Sequence, residues 1–169
     1  SVGRGQALFE VYSPELVSAQ REYAIAAQGV DDPWLPKAAK SLFDGAVDEG
    51  WLGSGGFIYT VDWEGRPVVE ERFFWEAPEA MGAARLLWLR SGDQRYLDWY
   101  RKLWEFCDQY FIDHSRGGWF SELDRENRPV TQTWEGKPDV YHVYQATLYA
   151  LIPADLGLAT WAAAAKLTR

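Results

Sequence analysis

Helix pairs with a short β-hairpin between them, all-α in class, is the fold predicted by three observations. Helix start and stop signals recur along the whole chain. Two hairpin-like segments match each other over 14 positions without a gap. And 169 residues, 47% apolar and 25% charged, are enough for one ordinary domain to bury a core without disulfide or metal.

The elements follow in order. Ser13-Pro14-Glu15 is an N-cap followed by proline in the first turn and opens a helix over 14–28, closed by Gly29. Asp32-Pro33 repeats the start signal. Leu35, Ala38, Ala39, Leu42, Phe43 and Val47 then recur at helical spacing up to Gly50. A third helix is expected over 75–89, with Pro78 tolerated because it lies in the first turn. After the break at Ser91-Gly92-Asp93, a fourth carries Tyr96, Leu97, Tyr100, Leu103, Trp104, Cys107, Tyr110 and Phe111 on one side. A fifth is expected over 141–151 and an alanine-rich last one over 158–167.

The two matching segments run from Gly55 to Val68 and from Gly117 to Val130, a displacement of 62 residues. Both read Gly-Gly-aromatic and then Asp-x-Glu-(Gly/Asn)-Arg-Pro-Val, with Gly65 or Asn127 where a tight hairpin needs a positive φ. A repeat of this length, with two helices and a hairpin per unit, needs neighbours to bury its faces. Its natural closed form is an α/α toroid of the (α/α)6-barrel type, of which this chain, read as a single domain over 1–169, would supply roughly half a ring. An open helical array capped by its own ends is the alternative.

The net charge of −8 argues against a nucleic-acid partner, which needs a basic face. One cysteine, Cys107, excludes an internal disulfide. No apolar run has transmembrane length and no basic-then-apolar leader opens the printed sequence. These features set the expectation of a cytoplasmic chain without a membrane partner. Two histidines far apart and a lone cysteine do not give zinc-ligand spacing, so no metal is expected. The aromatic content of 16%, with ten Trp, suits either a filled core or sugar stacking.

His114 sits in a polar turn and reads as solvated. His142 follows Gly136-Lys137-Pro138-Asp139 at a helix start, where the dipole disfavours an imidazolium. Glu79 lies four residues after Trp75, which puts ring and carboxylate on one helix face. Glu122 lies in the second hairpin; it and Glu79 could each cap a backbone group or bind a hydroxyl. Asp62 and Asp124 occupy equivalent repeat positions, which favours a turn-forming role. Two carboxylates in a toroid would also suit a glycosidase, a minor rival.

The run Gly56-Phe57-Ile58-Tyr59-Thr60-Val61-Asp62-Trp63-Glu64-Gly65-Arg66-Pro67-Val68 resembles the N-acylglucosamine 2-epimerase family. So do Arg72-Phe73-Phe74-Trp75-x-x-x-Glu79-Ala80, Gly118-Trp119-Phe120-Ser121-Glu122-Leu123-Asp124 and Gly136-Lys137-Pro138-Asp139-Val140-Tyr141-His142. The similarity is greatest to the branch with mannose and sulfoquinovose isomerases, and to its C-terminal part only. The resemblance implies an (α/α)6 barrel that interconverts aldoses and ketoses, or epimerises at C2, without a cofactor. Two histidines would move a proton through a cis-enediol. It implies His142 as one of them, Trp75 as the ring stacking on a monosaccharide, and Glu79, Ser121 and Glu122 as further substrate-binding residues. The other histidine belongs to a Gly-His-x-x-Glu-Trp motif, where this chain has Gln6, a side chain that cannot cycle a proton at neutral pH. Two functions from different classes follow: a sugar isomerase or epimerase chain completed by self-association or a second chain, or a non-catalytic carbohydrate-binding or subunit-interaction module.

Overall fold

The structure is a computed structural model and describes residues 34–151. The helices expected over 14–28 and 158–167, and Gln6, lie outside the described residues. The described part runs α1 (Trp34–Gly50), β1 (Thr60–Val61), β2 (Pro67–Val69), β3 (Arg72–Phe73), α2 (Glu76–Ser91), α3 (Gln94–Phe106), a π-helical turn (Cys107–Phe111), β4 (Glu122–Leu123), β5 (Pro129–Val130) and α4 (Tyr141–Tyr149). It is all-α with short antiparallel hairpins between helices.

Local chemistry explains the helix boundaries. Gly92 takes the left-handed conformation, with φ 68°, and its amide bonds back to the Trp88 carbonyl at 2.8 Å. One residue on, Asp93 accepts the Arg95 amide at 3.0 Å and caps α3. Pro78 is buried as the third residue of α2, where its missing N–H costs nothing. Along α1 the buried stripe is Leu35, Ala39, Phe43, Ala46 and Val47, while Leu42, expected inside, points outward at 38% exposure.

Central in the described part is α2. It is buried on nearly all sides and packs against α3, α4 and α1. Small residues allow the close approach: a Cβ on Gly82 would stand 2.8 Å from the Tyr149 ring of α4. Met81, Leu103 and Phe111 join one continuous core with Phe43, Phe74, Tyr96 and Trp119. Each large apolar side chain buried there contributes about 1.5–3 kcal/mol.

The hairpins repeat bond for bond. Asp62 Oδ1 accepts the Glu64 and Arg66 amides at 3.0 and 2.9 Å and Oδ2 accepts Arg66 Nε at 2.7 Å. Asp124 does the same with the Glu126 and Arg128 amides at 3.0 and 2.9 Å and Arg128 Nε at 2.8 Å. Gly65 and Asn127 both have positive φ, 75° and 62°. These carboxylates are turn formers, as their equivalence suggests. The gapless match ends at the paired glycines. The Leu52 amide bonds the Gly56 carbonyl and the Gly55 amide bonds Leu52, whereas Asp113 takes both roles with Gly118 and Gly117. The second unit therefore has one more residue in this turn, and Asp113 stands where the first unit has Leu52.

One strand was not anticipated. β3 pairs with β4, Arg72 against Leu123 and Phe73 against Glu122, and makes the second hairpin three-stranded. Two residues are too short for a sequence pattern. Arg72 locks the arrangement. Its fully buried guanidinium donates to the carbonyls of Gly55, Glu70 and Asp124 and to Ser54 Oγ at 2.9–3.0 Å. Gly56 makes room for it: a Cβ there would lie 2.6 Å from the Arg72 side chain. Asn127 Nδ2 adds a bond to the Ser54 carbonyl at 2.8 Å. The two hairpin ends are thus joined at one end of the helices, where β3 leads into α2 and β5 into segment 131–139.

Candidate functional site

At this end lies a cavity of about 350 Å³ lined by Phe74, Trp75, Ser121, Trp134, Glu135, Lys137, Pro138, Asp139 and His142. That is within the size range of small-molecule sites. Three stretches build it: the start of α2, the β4 strand edge, and segment 131–139 running into α4.

The aromatic floor is pre-organised. Trp75 stacks on Phe73 at 4.9 Å with the rings 9° apart, and Tyr59, Phe74 and Trp134 meet it edge-on at 6.4, 5.3 and 5.0 Å. Trp75 is half-buried by these neighbours, while Trp134 remains 43% exposed. Trp134 was not singled out from the sequence. The available signal was a lone ring inside the polar run Thr131-Gln132-Thr133-Trp134-Glu135-Gly136, since exposed rings on loops often mark binding surfaces.

His142 is the second residue of α4, whose first turn is capped by Asp139 Oδ1 accepting the Tyr141 amide at 2.7 Å. Its Nδ1 lies 2.8 Å from Glu79 Oε1, with the histidine 24% and the glutamate 2% exposed. Phe74 meets the imidazole edge-on at 5.8 Å. Glu79 acts on this histidine in addition to the helix start. A buried carboxylate at hydrogen-bond distance orients the ring far more strongly than a helix end, whose effect falls off within a turn. His142 Nε2 makes no hydrogen bond among the described residues.

Of the residues expected at a sugar site, the structure brings His142, Trp75 and Ser121 to the cavity wall. Glu79 and Glu122 are not among its lining residues. Glu79 stands behind His142. Glu122 is fully buried in β4, where its Oε2 accepts the Thr133 amide at 2.8 Å and its Oε1 has no partner among the described residues. It therefore tethers the cavity wall. Ser121, 4% exposed, donates its hydroxyl to the Gly136 carbonyl at 3.0 Å. Gly136, with φ 80°, allows that carbonyl to turn inward. A third tether joins Lys137 Nζ to Asp113 Oδ2 at 2.6 Å.

Two other ionisable groups are structural. Glu76 opens α2 and accepts the Phe73 amide at 3.0 Å; burial pushes its carboxyl well above the usual carboxylate range, against the Phe73 amide and the Arg72 charge. Burial likewise pushes the Cys107 thiol up, as expected of an inert core cysteine. His114 is exposed, its Nε2 2.9 Å from the Asp108 carbonyl, in keeping with a solvated turn. No group of three or more His, Cys, Asp or Glu that could hold a metal occurs among the described residues. Nor does any helix there have the length and apolarity to cross a membrane.

The sequence profile of the N-acylglucosamine 2-epimerase (GlcNAc 2-epimerase) family matches residues 19–146. A D-mannose isomerase of Pseudomonas cannabina pv. alisalensis is 46% identical over 129 residues, covering 75% of this chain and 31% of that protein. A D-mannose isomerase of Thermobifida fusca is also 46% identical over 129 residues, covering 75% of this chain and 32% of that protein. A crystal structure of D-mannose isomerase superposes with a TM-score of 0.76 at 27% identity, over 86% of this chain and 39% of that one. The chain spans about a third of the length of the curated relatives it matches. The helix pairs with short hairpins are accordingly an arc of an α/α toroid. On the extent of the profile match, the chain belongs to the N-acylglucosamine 2-epimerase family.

Proposed function

We propose that this chain carries one half of a sugar isomerase or 2-epimerase site, acting on a monosaccharide by proton transfer through a cis-enediol. The observation that supports it best is the His142/Glu79 pair at 2.8 Å beside an aromatic-walled cavity. With Nδ1 donating to a buried carboxylate, the imidazole is held in the tautomer that leaves Nε2 to take a proton. Trp75 and Trp134 offer rings to the apolar C–H face of a pyranose. Ser121, Glu79 and Glu122 shape the site through the wall and the base rather than by direct sugar contact. No cofactor is required by proton transfer between adjacent carbons. We take residues 1–169 as one domain of the toroid.

The test is proton NMR of the purified chain with mannose, fructose, glucose and sulfoquinovose in deuterated buffer. Exchange at C2 with at least one of the three neutral sugars is the expected result, the step that a single base can carry. Saturation transfer to a sugar without exchange would instead favour a non-catalytic carbohydrate-binding module, the reading suggested by Gln6 at the position of the second histidine. Neither exchange nor contact would remove the sugar-site reading for the isolated chain.

A partner follows from the surface of α4. Val140 just before it, Tyr144 within it and Leu151 just after it follow helical spacing at 76%, 63% and 66% exposure, beside exposed Tyr141. We propose that a second copy of the chain covers this stripe and extends the arc. Sedimentation at micromolar concentration is expected to show a species heavier than the 19.3 kDa chain; a clean monomer overturns the association. The single cysteine favours the cytoplasm as compartment, and recovery of the native protein from an exported fraction would contradict that.

A further inference from the structure

Lys137 is the one Lys or Arg lining the cavity among the described residues, and its charge is already matched. Nζ lies 2.6 Å from Asp113 Oδ2 and 4.3 Å over the Phe120 ring. Asp113 is itself buried at 6% exposure and comes from the other side of the second hairpin, just after the π-helical turn. Its second oxygen accepts the Ser115 amide and hydroxyl at 3.0 and 2.6 Å and the Arg116 amide at 3.1 Å. The Lys137 ammonium and the Ser115 hydroxyl hold this carboxyl well below the usual carboxylate range, so it stays charged at any working pH.

Turn bonds occupy Oδ1 alone, and Oδ2 engages Lys137. In the first unit Leu52 occupies the equivalent position and makes the same two backbone bonds without a carboxylate. What the second unit gains is a fixed negative charge beneath the lysine of the cavity wall. The remaining charged side chains on that wall are Glu135 and Asp139. A free ammonium at Lys137 would anchor a phosphate or sulfonate; a neutralised one beside two carboxylates would not.

We infer that Asp113 is a specificity-determining residue: by neutralising Lys137 and pinning it to Phe120, it keeps the cavity selective for uncharged sugars over sugars bearing a phosphate or sulfonate. This rests on the sugar-site reading above.

The experiment is an NMR titration of the full chain with D-mannose and with D-mannose 6-phosphate. The wild-type chain is expected to bind mannose and to bind the phosphosugar more weakly. Asp113→Asn keeps an acceptor for the Ser115 and Arg116 amides but releases the ammonium. It is expected to shift the affinity ratio toward the phosphosugar by about tenfold. Adding Lys137→Met to that variant should return the ratio, which simple loosening of the turn would not do. Equal wild-type affinity for the two sugars, an unchanged ratio in Asp113→Asn, or a gain that survives Lys137→Met overturns the inference. Should Asp113→Asn fail to fold, Lys137→Met alone decides. A ratio shifted less than twofold fits a lysine already neutralised, and a selective loss of phosphosugar binding overturns the proposal. If the folded wild-type chain binds neither sugar, the sugar-site reading itself falls and takes the inference with it; binding both alike removes only the charge selection.

Discussion

In protein that exchanges the C2 proton of a sugar, His142→Ala is expected to lower exchange by about 10²–10⁴-fold, the range for loss of a positioned general base. The size follows from geometry. Nδ1 is engaged by Glu79 Oε1 at 2.8 Å, and Glu79 is nearly fully buried, so the imidazole is held in one orientation at the cavity wall. No other histidine can substitute: His114 sits in an exposed turn against the Asp108 carbonyl, and the chain has two histidines in all. Trp75→Ala should act differently, raising KM more than it lowers kcat, because a stacking ring binds ground state and transition state alike. Steady-state exchange rates by NMR separate the two. Exchange that survives His142→Ala at an unchanged rate removes the assignment of the base.

Arg72→Met should lower stability by about 3–5 kcal/mol, the cost of removing one member of a buried charged network. The guanidinium is fully buried and makes four hydrogen bonds to groups from three separate stretches of chain, 54–55, 70 and 124. Methionine fills similar space but leaves the carbonyls of Gly55, Glu70 and Asp124 without that donor and strips Glu76 of a nearby positive charge. Burial pulls the guanidinium pKa down, yet an arginine stays charged in proteins. Urea titration measures the effect. A loss under about 1 kcal/mol would mean that the joined hairpins do not depend on this side chain.

Much of the fold was legible because it rests on short-range bonds. Asp62 and Asp124 close their turns on residues two and four positions away, so identical residue patterns produce identical turns. Gly65 and Asn127 declare a positive φ by residue type alone. Gly92 and Asp93 end one helix and begin the next by bonds within four residues. The helix periodicity was readable for the same reason, although Leu42, on the expected apolar stripe, faces outward because no neighbouring element among the described residues covers it fully.

The site was only half legible. His142, Trp75 and Ser121 could be named from motifs, and they do reach one cavity. That Glu79 belongs to His142, 63 residues away, could not be read from spacing. Nor could the roles of Glu122 on the Thr133 amide, Asp113 on Lys137, or Arg72 across both hairpins. The shift from Leu52 to Asp113 is hidden too, since only the backbone bonds show which residue of each unit is equivalent. Turns, caps and helix faces were readable in the chain because their partners lie within one helical turn or one hairpin. The pairing of carboxylates with the histidine, the lysine and the wall of the cavity was not, because α2, α4 and the second hairpin must first pack against each other before side chains so distant in sequence come within hydrogen-bond reach.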